Sequence, residues 1–127
     1  MFEILLIIMI IISVAAIAGG YIMRYQAPKD EQMKMGFRTE SAKASSEAWA
    51  YANRTCGKNW LTTGLIELFL GIPILFLMYY FKGEHSAQVL SFVYVVAEII
   101  FLVIAVTSVQ KEIKNKFDES GRLKENE

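Results

Sequence analysis

Glu67 and Glu98 each stand inside a run of apolar residues long enough to cross a membrane. A charged side chain near a bilayer centre costs about 2.5–3.5 kcal/mol on insertion scales, so neither should face lipid. Gly64, Glu67 and Gly71 fall at i, i+3 and i+7 on one helix face, and Ser91, Tyr94, Glu98 and Ala105 share a face of another. Turned inward, the two acids would lie within roughly one to two helical turns in depth. Such a pair could carry a proton or ion pathway, or it could make interhelical hydrogen-bonding contacts. A single histidine, His85, and a single cysteine, Cys56, are too few for a structural zinc site, and neither Cys56 nor a serine has a histidine placed to activate it. With no glycine-rich phosphate loop either, the sequence points away from an enzyme and requires no cofactor.

A second group of chemistry-bearing residues occupies the polar stretch 36–60. It holds Gly36, Phe37, Arg38 and Thr39, then Trp49, Asn53 and Arg54, with Glu40, Lys43, Glu47 and Lys58 among them. Arg38 offers five donors in a planar fork, suited to bridging a carboxylate such as Glu67 or the carbonyls at a helix end. With Trp49 and Asn53 locking a helix above, the stretch would then be a lid; the alternative for Arg38 is a phosphate headgroup. Gly36 permits a turn that a side chain would obstruct, and Thr39 could cap the segment after it. More blandly, a basic, tryptophan-flanked stretch beside a membrane helix is a connector lying on the surface.

The elements that must position these residues follow from hydropathy. Of 127 residues 54% are hydrophobic, gathered into three long runs, which indicates an all-α membrane protein of one domain. The first span is expected at about 2–23, with Ser13, Ala16 and Gly20 on one face for close helix approach, and it reads as an uncleaved anchor because Glu3 stands where a signal peptide would carry positive charge. A polar connection, 24–60, turns at Pro28 and starts an interfacial amphipathic helix at Ser45 or Ser46, with Trp49, Asn53, Cys56 and Trp60 near one face. The second span is expected at 61–81 with a kink at Pro73, an outer turn at 82–88, the third span at 89–109, and a charged tail, 110–127, that extends the helix and frays into disorder. Of the 13 lysines and arginines, all but Lys82 lie in the connection and tail, so the positive-inside tendency places those in the cytoplasm and the N-terminus outside. A net charge of zero gives no reason to expect a nucleic-acid partner.

The clusters Gly36-Phe37-Arg38-Thr39, Ser46-Glu47-Ala48-Trp49, Ala52-Asn53-Arg54 and Gly57-Lys58, followed directly by two membrane helices, resemble the SdpI family. The resemblance runs from Gly36 to the end of the third span and corresponds to the C-terminal half of larger members, which carry additional N-terminal membrane helices. It implies a bacterial protein giving immunity to, or sensing, a membrane-active toxic peptide, and a transcriptional repressor held at the membrane as a further partner. Three helices bury little surface, so a homo-oligomer is also expected. The rival readings are a small carboxylate-based transporter or ion-coupled subunit, and a structural partner of a larger membrane complex.

Overall fold

A computed structural model describes residues 1–124. Because no water in a bilayer core can satisfy a peptide group, each apolar run closes its own backbone bonds as a helix. Helix α1 (Phe2–Tyr21) continues through a π-helical turn (Ile22–Gln26) and a 3-10 turn (Ala27–Lys29). A loop and the short α2 (Glu40–Lys43) lead to α3 (Ser46–Ile66), which passes through a second π-helical turn (Glu67–Gly71) into α4 (Ile72–Lys82); α5 (Glu84–Lys116) returns. The three continuous helices hold 28, 37 and 33 residues, each long and apolar enough to span a membrane. A hydrocarbon core about 30 Å thick needs only about 20 residues, so all three project from it. The projecting segments lie on the side that holds twelve of the thirteen basic residues.

Several expected boundaries move. The first helix does not end at residue 23 but runs to Lys29, with Pro28 in the first turn of the 3-10 segment, where its missing N–H costs nothing. The stretch from Ser46 to Trp60 is not a separate helix in the interface: no break divides it from the second span, and its Trp49–Cys56 face packs into protein. The outer turn shrinks from 82–88 to Gly83 alone, whose φ of +94° reverses the chain in one residue. The third helix extends beyond 89–109 at both ends, and the tail folds back after Lys116, with an antiparallel bridge between Phe117 and Leu123. The disorder expected of the tail falls in part on residues 125–127, outside the described residues. Pro73 cannot donate to the carbonyl of Phe69, and the helix accommodates it as a π turn in which the Ile72 N–H bonds the Glu67 carbonyl.

Helix α1 packs chiefly on α3 and also on α5, while α4 packs on α5. The small-residue face holds as expected, since Ser13, Ala16 and Gly20 are all buried. Their counterparts on α3 are Gly57 and Gly64. A Cβ on Gly57 would lie 2.5 Å from the Arg24 nitrogen and 2.6 Å from the Gly20 oxygen, so the two backbones are in contact. Backbone cannot rotate aside as a side chain can, and Gly57→Ala is therefore expected to separate α1 from α3 and destabilise the bundle by about 1–3 kcal/mol. A lowered midpoint of thermal unfolding in detergent would register it.

The bundle has two apolar cores. One, far from the projecting ends, gathers Phe2, Met9, Leu75 and Ala87. The other, within the projecting ends, gathers Met23, Ala27, Phe37, Trp49, Cys56 and Ile113 with their neighbours. Between them in chain position lie the buried polar residues Ser13 and Glu98 and the half-buried Glu67. Outward faces carry Ile7, Ile11, Phe69, Phe76, Phe92 and Phe101, exposed as lipid-facing residues should be.

Candidate functional site

The cap over the basic end is built from the motif residues. Ser45 is the N-cap of α3, its hydroxyl accepting from the Ala48 N–H at 3.0 Å and donating to the carbonyl of Gly121, which latches the tail onto the start of the helix. Thr39 caps α2 in the same way, accepting from the Ala42 N–H at 3.2 Å. Upstream, the Asp30 carboxylate accepts from the backbone N–H groups of Gln32, Lys34 and Met35. Those amides, Lys34 foremost, hold its carboxyl below the usual carboxylate range. The loop thus folded reaches Gly36, whose φ is +101° and whose missing side chain leaves room for the Asn53 amide.

Asn53 is fully buried and grips the strap that crosses it. Its Oδ1 accepts the Phe37 N–H at 2.6 Å, and its Nδ2 donates to the Phe37 carbonyl at 3.4 Å and to the Trp49 carbonyl at 2.9 Å. One amide side chain thereby satisfies both polar groups of a buried peptide position, as a neighbouring strand would. Phe37 is held with its ring in the core, beside Trp49, whose indole N–H donates to the Ala27 carbonyl at 2.6 Å. That bond ties α3 to the 3-10 turn that ends the first helix. The end of α5 closes the third side, where Tyr51 donates to Glu112 at 2.7 Å and Lys116 lies over the Tyr51 ring at 4.6 Å.

Gly36, Phe37, Thr39, Trp49 and Asn53 are thus brought together, and Arg38 and Arg54 are not. Arg38 is exposed and donates once, to the Lys34 carbonyl at 3.2 Å within its own loop. It bridges no carboxylate among the described residues. Asn53, where the strap is anchored, precedes Glu67 by fourteen residues, about 21 Å along a helix, beyond the reach of an arginine side chain from the strap. The motif is therefore a clasp on the projecting ends, not a lid on the acids. Arg54, on the opposite face of α3 from the core, is exposed.

The acids form a separate polar layer. Glu98 is buried and accepts from the Ser13 hydroxyl at 3.0 Å, joining α5 to α1, while its second oxygen is buried without a hydrogen-bond partner among the described residues. Glu67 also has one such oxygen. A Cβ on Gly71 would sit 3.1 Å from that Glu67 oxygen and 3.0 Å from the Met9 terminal carbon, so the glycine makes room for the carboxyl against α1. Ser13 reads from sequence only as a small packing residue. Its depth in the first run, opposite the acid of the third, is the signal of a partner. No group of three or more histidine, cysteine, aspartate or glutamate side chains is placed to hold a metal among the described residues.

Three membrane-length helices, a clasp at one end and a buried polar layer define a small multi-pass helical membrane protein. The model of the SdpI/YfhL protein family matches residues 33–109, more than half of the chain, and the chain belongs to that family. No curated protein and no solved structure gives a significant match.

Proposed function

We propose that this protein gives immunity to, or senses, a hydrophobic toxic peptide within or beside the bilayer. The observation that carries the reading is the clasp: family membership covers the strap and the two spans behind it, Asn53 holds Phe37 of the strap on α3, and Trp49 ties α3 to the end of the first helix. A peptide that packs on the lipid-facing sides of α1, α4 or α5 would meet a bundle whose helices are thereby fixed at the basic end. The basic end faces the cytoplasm in this account, where the strap, with Arg38 outward and Arg54 exposed on α3, offers a surface to a transcriptional repressor. Self-association would enlarge the area that three helices bury. The reaction is binding; no covalent chemistry is assigned.

The two buried carboxyl oxygens without partners support a second reading, a small carboxylate-based transporter or ion-coupled subunit. One substitution separates the two. Glu98→Gln keeps an acceptor for the Ser13 hydroxyl and nearly the same volume but cannot exchange a proton. The binding account expects cells carrying it to survive the peptide within about twofold of the parent, since the hydrogen bond that joins α1 to α5 persists. Complete loss of protection with the protein abundant in the membrane would instead favour proton or ion coupling.

A further inference from the structure

Where α1 and α3 touch through Gly20 and Gly57, their basic side chains are forced to one side. Arg24 belongs to the π-helical turn that comes after the contact, and its backbone nitrogen is the atom nearest a Cβ on Gly57. Arg54 and Lys58 flank that glycine on α3, four residues apart and so on one face. Lys29 ends the 3-10 turn. These four cations, with Tyr25 and Thr55, line an open cleft of about 490 Å³ whose lining includes no carboxylate among the described residues. The Arg24 guanidinium lies 5.2 Å from the centre of the Tyr25 ring, against a flat aromatic face. The one ion pair among the described residues lies elsewhere, at the first residues of α1.

We propose that this cleft binds the phosphate of an anionic phospholipid from the leaflet on the basic side. Four like charges converging on one space favour a ligand with concentrated negative charge, and a planar guanidinium beside ammonium groups suits phosphate oxygens. Depth selects the lipid over a soluble phosphate. Arg24 directly follows the apolar part of α1, and Lys58 precedes Trp60, which donates its indole N–H to the Leu102 carbonyl of α5 at 3.2 Å, so the cleft opens where the helices leave the hydrocarbon and headgroups lie. The acyl chains would run along the exposed Tyr21 and Ile22, where α1 passes into the π-helical turn. A bound lipid would then brace the α1–α3 contact from outside.

The test is native mass spectrometry of the full chain released from mixed micelles containing equal phosphatidylglycerol and phosphatidylcholine. The parent should retain phosphatidylglycerol in preference, and retention should fall by about fivefold for each charge removed in Arg54→Gln and Lys58→Gln. Lys82→Gln, at the opposite end of the bundle, should change nothing, and Cys56 should stay unreactive to maleimide in all three variants as a check on folding. Equal retention of the two lipids by the parent, or unchanged preference in the folded variants, would overturn the proposal. So would displacement of the lipid by millimolar inorganic phosphate, which would make the cleft a site for a soluble anion.

Discussion

Trp49→Ala is expected to open the clasp and expose Cys56, raising its rate of maleimide labelling in detergent by about 100-fold or more. The tryptophan is 1% exposed and sits at the centre of the basic-end core, among Met23, Ala27, Phe37, Cys56 and Ile113. Truncating a buried tryptophan costs about 3–5 kcal/mol, a large part of the total stability of a small domain. Loss of the indole bond adds little, because the Ala27 carbonyl still accepts the Asp30 N–H at 3.0 Å. Packing is therefore the main cause. Trp49→Phe, which keeps a six-membered ring but gives up the pyrrole ring and its donor, should cost about 1–3 kcal/mol, less than the alanine, and leave Cys56 better protected. Equal labelling of Trp49→Ala and the parent would mean that the core does not hold the helices together.

The second large effect is expected at Asn53. In Asn53→Leu a side chain of similar size replaces the amide, and the Phe37 N–H and C=O lose their partners while still buried. Stranding a buried donor and acceptor costs about 1–3 kcal/mol for each group, so about 2–6 kcal/mol is the expected loss. Asn53→Asp should not rescue it. The aspartate could accept from the Phe37 N–H, but its other oxygen would face the carbonyls of Phe37 and Trp49, which the amide now satisfies as donor. Both variants should release the strap, read as faster amide hydrogen exchange at residues 36–39, with the α4–α5 contact unaffected. Unchanged exchange in Asn53→Leu would show that Asn53 does not hold the strap.

Much of this arrangement is legible in the sequence because the physics behind it is local. Apolar runs of membrane length must be helical, the Ser13, Ala16 and Gly20 stripe announces close approach, and Ser45, Thr39 and Gly36 are capping and turning residues wherever they occur. Helix lengths are not legible. Hydropathy marks where lipid ends, whereas the first helix, through its π and 3-10 turns, and α5 continue to Lys29 and Lys116, held there by Trp49, Tyr51 and the tail. The same signal makes Trp49 look like an interfacial anchor, since a tryptophan beside a membrane run looks alike whether its indole meets a headgroup or the Ala27 carbonyl. Arg38 fails as a bridge to Glu67 for a reason of distance along the helix, which emerges only once α3 is known to be unbroken from Ser46. The basic cleft is hidden because Arg24 and Lys58 are far apart in sequence and meet only through the Gly20–Gly57 contact.

The central claim, that the clasped bundle protects a cell from a membrane-active peptide, is tested most directly by survival. A sensitive bacterium expressing the chain would be challenged with the toxic peptide known for the family and a small panel of other membrane-active peptides, beside Asn53→Leu at matched membrane abundance. Selective survival against one peptide, lost in the variant, is the predicted result. No protection against any peptide, with the parent protein verified in the membrane, would contradict it.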